Sequence, residues 1–370
     1  MLKVDIFVNP SLFYFPTSRY FWDIHWFPVW FFRREIKKTG INIRFKSMRS
    51  FSYDKMGDII FFSSYFFFSN KGNYTYKFYQ PRVPLKCFEE LKKREKRIIW
   101  FDMEDGSGSI HHQLLDFVDK YYKKQILKDL SLYNKKPWVL SYHTDFYSRK
   151  YNFKALEESI PQPIYHLKNK YKNKIGLSWN YALHDYRSLG RSKLAYSISK
   201  LNDYKINLKY KAPRKINEYE LSARFSPRNF QRKKLLEFVR ESFPKKKIGM
   251  GYLNRNLYFK ELQNTDAVLS PFGYGEPCFR DIETFIAGAA LIKPNMDHIK
   301  TWPDLYHDQE TYIAIPWEIE KWKETIPNIL NNKNLLYEVA KNGQNMFKKI
   351  WEKKGILEFV NHFRSLILDC

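Results

Sequence analysis

The feature that most constrains the fold is a double run of alternating strand-like and helix-like segments. In the first half, "KVDIFVN" reads as a strand, "WDIHWFPVWFFRREIKK" as helical after Pro28, and Gly40 ends that helix before the strand-like "INIRFKS". "DIIFFSSYFFF" follows as a buried strand, "CFEELKKREK" as an amphipathic helix and "RIIWFDM" as another strand. Alternation of this kind predicts βαβ units and a parallel sheet. The apolar spacing of "HHQLLDFVDKYYKKQILKDL" predicts a helix, and "PWVLSYH" a strand. From about 150 to 215 the chain turns polar and irregular, then the alternation restarts with "INEYELSARFS", "NFQRKKLLEFVRESF", "KKIGMGYL", "LYFKELQNT", "DAVLSPF" and "AALIKP", and ends in mostly helical sequence. At 370 residues the chain suits two α/β domains, with a boundary between about 195 and 220 and a cleft between them.

Charge and cysteine usage narrow the function classes. Against 64 Lys+Arg stand 39 Asp+Glu, a net charge of +25, which favours nucleotide phosphates, polyanions and anionic membrane surfaces as partners. The basic residues are spread along the chain, so part of this charge simply solvates the surface. Cys87, Cys278 and Cys370 are too few and too scattered for a disulfide framework or a paired-cysteine metal site, and point to a reducing compartment. The N-terminus lacks the pattern of a signal peptide. No apolar run reaches the roughly 18 residues of a membrane helix, "IIFFSSYFFF" being about strand length and interrupted by serines. The expected location is cytoplasmic, peripheral at a membrane where anionic lipid draws the basic surface.

The densest cluster of candidate residues is "LSPFGYGEPCFRDIETFIAGAALIKP", 269 to 294. An apolar strand ends at Ser270, a turn passes through Gly273, Tyr274, Gly275 and Glu276, and a helix opens near Cys278 or Phe279. Parallel sheets bind ligands at the carboxyl ends of their strands. Glycines let the backbone approach a ligand closely, and a helix N-terminus carries about half a positive charge, which favours phosphate. Arg280 fits a pyrophosphate bidentately, and Glu283, one turn on, fits the hydroxyls of a ribose. The same two residues, three apart, would also make an ordinary intrahelical ion pair.

This stretch resembles the nucleotide-sugar loop and helix of glycosyltransferases of the two-Rossmann (GT-B) fold, in particular the exostosin-like branch and the C-terminal nucleotide-sugar domain of the family 1-like enzymes. Arg280 and Glu283 match the "R-x-x-E" helix start of that branch within "LSPFGYG…CFRDIETFIAGAALI". The resemblance spans roughly 265 to 320. It implies two Rossmann-like α/β domains facing across a cleft, residues 1–205 on the acceptor side and 206–370 binding the nucleotide-sugar. It also implies transfer of a sugar to a glycan or lipid-linked saccharide in the synthesis of a surface polysaccharide or glycoconjugate, with no cofactor and no essential divalent metal. Retaining enzymes of this fold carry two glutamates eight positions apart; Glu276 and Glu283 are seven apart, which leaves a donor-sugar role for Glu276 open.

Elsewhere, "RIIWFDMEDGSGSIHH" places Asp102, Glu104 and Asp105 after a strand, with His111 and His112 close behind. Asp105, and after it His111, is the candidate general base on the acceptor side. Two other readings stay open: a solvated acidic loop, and a metal site imitated by the Asp-x-Glu spacing at Asp102 and Glu104. Gly251, Arg255 and Arg224 fall at other strand ends of the second half, where Arg255 and Arg224 are candidate donor contacts. His184, His298 and Asn180 read as structural. The alternative to an enzyme is a nucleic-acid-binding protein, but no helix-turn-helix, zinc-finger or RNP signature accompanies the charge, so no nucleic acid is expected as a partner. A nucleotide-binding module without catalysis is the third reading.

Overall fold

The computed structural model describes residues 1–8, 25–46, 52–64, 82–108, 110–134, 141–153, 167–189, 206–244 and 247–368. Its two halves hold separate parallel sheets, as the alternation predicts. The first contains β1 (Leu2–Phe7), β2 (Ile41–Lys46), β3 (Ile59–Ser63), β4 (Arg97–Asp102), β5 (Lys120–Lys123) and β7 (Ile175–Leu177), in the order β2-β1-β3-β4-β5-β7. Every pairing in it is parallel. The second contains β8 (Tyr219–Ser222), β9 (Ile248–Gly249), β10 (Thr265–Leu269), β11 (Ala290–Pro294) and β13 (Ile313–Ile315), in the order β13-β11-β10-β8-β9, again all parallel. Parallel sheets have both faces covered, so inner strands read as continuous apolar runs. The inner strands β3 and β10 are buried at every position, whereas the edge strand β2 is only half-buried.

With the first sheet go α1 (Phe27–Phe31), α2 (Arg33–Lys38) and α3 (Arg82–Lys93), whereas α4 (Tyr142–Tyr151) packs its rings on the second half, Tyr147 against Trp317 and Tyr151 against Phe230. The second half carries α5 (Phe230–Ser242), α6 (Arg255–Leu262), α7 (Phe279–Ala287), α8 (Trp322–Asn331), α9 (Lys333–Ile350) and α10 (Lys353–Leu368). The final helix belongs to the first core: Phe359, Val360, Phe363, Leu366 and Ile367 pack with Val4, Ile6 and Phe61. Arg97 Nη2 donates to Ile367 O at 2.5 Å and Tyr122 Oη to Leu366 O at 3.0 Å, satisfying carbonyls that the last helical turn leaves free.

One expected helix is absent. The run from His111 to Leu130 forms a single turn at His112–Leu114, then β5 and the short β6 (Gln125–Leu127). Its apolar residues suit either period, and the tertiary structure decides: Tyr121 is fully buried and Tyr122 nearly so, on opposite sides of a strand covered on both faces. Of "PWVLSYH", residues 137–140 lie outside the described segments and Tyr142 already opens α4. Strand β6 pairs antiparallel with β12 (Ile299–Thr301) of the second half, so backbone hydrogen bonds join the two halves. No helix among the described residues is long and apolar enough to cross a membrane.

Candidate functional site

The stretch 269–294 folds as the pattern demands. Strand β10 ends at Leu269, the chain turns, and α7 begins at Phe279 with Cys278 as an extended N-cap. Asp281, fully buried at the third helical position, accepts from Cys278 N at 3.0 Å, Ser270 Oγ at 2.5 Å and Tyr306 Oη at 2.7 Å. Buried Lys293 Nζ, 3.2 Å away, balances its charge. These contacts pin the start of α7 to the sheet. The other end stops at Gly288, whose φ of 79° is the left-handed cap that glycine adopts without strain.

Two guanidinium groups meet at this pinned helix start. Arg280 Nη2 donates to Arg224 O at 2.8 Å, while its Nε is buried without a hydrogen-bond partner among the described residues. Arg232, from α5, donates through Nε to Phe272 O at 2.7 Å and through Nη2 to Pro271 O at 3.3 Å. Burial, with Arg280 nearby, pulls the Arg232 pKa down to about 10, so it stays charged at neutral pH at an energetic cost. A Cβ on Gly273 would stand 2.8 Å from Arg232 Nη2, so glycine is what lets the turn pass over the guanidinium. Glu283 accepts from Tyr258 Oη at 3.2 Å, and burial raises its carboxyl above the usual value despite Arg280 and Arg255 nearby. The result is a half-buried, cationic cluster at a helix N-terminus, with one carboxylate a turn further in.

The turn also locks the halves together. Glu276 is fully buried and accepts from Ser107 Oγ at 2.5 Å and Ser107 N at 3.2 Å, with His143 Nδ1 and His298 Nε2 each 3.5 Å away. Burial would push its carboxyl up, but His143 and His298 hold it well below the carboxylate range. Burial also pulls the His143 pKa down despite Glu276, so at neutral pH His143 is neutral beside the carboxylate. Beside it, a Cβ on Gly275 would come within 1.8 Å of Asp105 O. We expect Gly275→Ala to cost about 1–3 kcal/mol through overpacking, seen as a lower midpoint in chemical denaturation, while Gly251→Ala, with open space around its Cβ, perturbs only its own backbone.

On the first half's side of this contact, Lys124 Nζ donates to Asp105 Oδ1 at 2.8 Å and to Tyr181 Oη at 2.7 Å, and Tyr181 Oη also donates to Asp105. Burial would raise the Asp105 carboxyl, but Lys124 and Tyr181 bring it below its usual value. Its side chain is nevertheless 42% exposed, unlike the buried Lys124. His111 Nε2 lies 3.0 Å from Glu104 Oε1; burial opposes its protonation, yet Glu104 and Asp102 raise its pKa overall. The ligand atoms of Asp102, Glu104 and His111 fall within 4.8 Å of one another, the arrangement the Asp-x-Glu spacing anticipates. Buried Lys123 Nζ already sits 2.5 Å from Asp102 Oδ2, as the residue directly across the strand pair, and Tyr121 Oη donates to the same oxygen at 2.7 Å. This cluster carries its own cation.

Of the residues singled out from sequence, the structure gathers Gly273, Gly275, Glu276, Arg280 and Glu283 around the start of α7, with Asp105 against the same turn. Tyr274 projects to solvent, 46% exposed. Ser270 is turned inward onto Asp281. Arg224 pairs bidentately with Glu261 at 2.8 and 2.5 Å, and offers Arg280 its carbonyl rather than its charge. Arg255 donates to Ser188 Oγ at 2.8 Å. His298, read as structural, flanks Glu276, and His184 and Tyr181 pack their rings 5.2 and 4.5 Å from Phe279. Sequence reasoning missed Arg232, Lys124, His143 and Ser107. Arg232 alone had a local signal, its place in the first turn of the helix that follows β8.

No protein-family model matches the sequence, and no curated protein matches it. Among solved structures, the chain is similar to Alr3699/HepE of Anabaena in complex with UDP and glucose, at 8% identity, covering 100% of both chains with a TM-score of 0.47. It is also similar to a glycosyltransferase of Rickettsia africae, at 10% identity over 99% of this chain and 98% of that one, TM-score 0.43. The C-terminal domain of LpcC, a group 1 glycosyl transferase of Francisella tularensis, matches at 20% identity over 35% of this chain and 66% of that one, TM-score 0.26. At these identities no residue of the site has a counterpart to be carried over.

Proposed function

We propose that the protein is a glycosyltransferase that takes a sugar from a nucleotide-sugar and passes it to a saccharide hydroxyl. The observation that carries this reading is the pair of half-buried guanidinium groups, Arg280, whose buried Nε has no hydrogen-bond partner among the described residues, and Arg232 with a depressed pKa, at the N-terminus of α7 behind Gly273. A guanidinium donor left unpaired in a partly desolvated place is costly unless an acceptor completes it, and two such groups side by side favour an anion. A diphosphate supplies paired oxygens at the spacing a guanidinium fork prefers. In this reading Glu283, one turn into the helix, accepts from the ribose hydroxyls.

In the transfer, the bond between the sugar's anomeric carbon and the diphosphate oxygen breaks, and the acceptor hydroxyl bonds to that carbon. Arg280, Arg232 and the helix N–H groups take up the charge that develops on the leaving diphosphate. With that charge met by the protein, the reaction calls for no divalent metal and no cofactor. Asp105, the exposed carboxylate against the Gly275 turn, removes the proton from the acceptor hydroxyl, oriented by Lys124 and Tyr181. We read the acceptor as a glycan or lipid-linked saccharide and the setting as polysaccharide or glycoconjugate synthesis on the cytoplasmic side of a membrane.

A thermal-shift screen of nucleotide-sugars and nucleoside diphosphates tests the donor reading, because a ligand that binds the native state raises its melting temperature by mass action. A rise with at least one nucleoside diphosphate supports it, and no rise with any of them overturns it. With the donor in hand, Asp105→Asn is expected to lower turnover by roughly 10²-fold with little change in donor affinity. Unchanged turnover would remove Asp105 from the chemistry.

A further inference from the structure

The basic residues of α2 and of the turn between α9 and α10 lie on one side of the first core. Arg33–Lys38 reads RREIKK and residues 348–354 read KKIWEKK, together eight basic residues against Glu35 and Glu352. The two segments are neighbours: the Trp351 ring lies 6.2 Å from Phe32 and 6.5 Å from Phe27, and Phe359 lies 5.8 Å from Phe32. Phe32, Ile36 and Phe359 turn into the core, while Arg34, Lys37, Lys38, Lys349, Lys353 and Lys354 face solvent. Among the described residues none of these five lysines enters an ion pair.

We propose that this face docks the protein on an anionic lipid bilayer. Clustered lysines near an anionic leaflet each add to binding, so a patch of this size suffices for reversible attachment without a membrane-spanning helix. The apolar groups beside it suit a bilayer better than a nucleic acid. Leu357, 50% exposed one turn after Lys353, offers an aliphatic side chain for the interface, and the half-buried Trp30 is covered by Arg33 at 4.7 Å from its ring. A single-stranded nucleic acid would instead ask for open aromatic faces on which bases stack. The proposal uses no residue of the candidate donor site and stands independently of the transferase reading.

Co-sedimentation of the full chain with vesicles tests it. Binding is expected to phosphatidylcholine vesicles containing phosphatidylglycerol at low salt, with release as salt rises and little binding to pure phosphatidylcholine. Each lysine counts for about fivefold in partitioning, so combining Lys37→Glu, Lys38→Glu, Lys353→Glu and Lys354→Glu should lower it roughly a hundredfold or more. A control with Lys233→Glu, Lys234→Glu, Lys247→Glu and Lys260→Glu makes the same change in net charge on exposed lysines of the second half and should retain most of the binding. Melting curves establish that each variant is folded, and the same four changes to Gln replace any that is not. Equal binding to both vesicle types, equal loss in the control, or an RNA oligonucleotide that uses the same lysines and outcompetes the vesicles would each overturn the assignment.

Discussion

Replacing Arg280 and Arg232 together by alanine is expected to weaken binding of a nucleoside diphosphate by roughly 10²- to 10³-fold in titration calorimetry. A charge-assisted contact is worth about 1.5–3 kcal/mol, and two of them to one diphosphate reach on the order of 4 kcal/mol. Each single variant should lose about 2 kcal/mol. The ligand-free protein gives an independent control. Arg232→Met keeps much of the aliphatic volume and relieves a charge held at a cost beside Arg280, but leaves the Phe272 and Pro271 carbonyls without their donor, so it should destabilise the free protein by about 1–3 kcal/mol while still weakening the nucleotide. Unchanged affinity in the double variant would mean that the start of α7 is not where phosphate binds.

The second large effect concerns stability. Glu276→Ala removes a buried carboxylate and strands Ser107 Oγ and N, so it should cost about 3 kcal/mol in chemical denaturation. Glu276→Gln should cost less, because an amide oxygen still accepts from Ser107. The pH dependence has a definite sign. The folded pKa of Glu276 lies below its usual value of 4.5, so its contribution is present above about pH 4.5 and is lost as pH falls through the folded value. Wild-type protein should therefore lose melting temperature more steeply than Glu276→Gln on acidification below that point. Parallel melting curves for the two proteins would contradict the assignment of Glu276 as a charged latch between the halves.

Local pattern and tertiary context divided the work at identifiable places. Buried parallel strands such as those containing "IIFF" and "AVL" announce themselves, since strands covered on both faces read as apolar runs. The helix start at Phe279 was equally plain, because a strand end at Ser270 and a glycine-bearing turn after it are local in the chain, whereas the cap from Asp281 emerged only with the structure. The segment from His111 to Leu130 misled for the opposite reason: its apolar residues satisfy a helical period, and only the place of β5 between β4 and β7, and of β6 against β12, makes strands of them. Ser270 was legible as a site neighbour but not in its contact, which depends on Asp281 eleven residues on.

By itself, then, the sequence determined the two parallel α/β halves and the Arg280–Glu283 helix, because periodicity and capping act over a few residues. The tertiary structure alone decided what surrounds that helix. Arg232 comes from α5, Lys124 and Ser107 from the first half, and His143 from α4, each separated from the Gly273–Glu276 turn by tens of residues or more than a hundred. It also carried the last helix back onto the first core, an outcome its amphipathic pattern could not specify, since an apolar stripe records that a face is buried and not what buries it. Local rules write the elements into the chain; which elements meet is set by packing between residues distant in sequence.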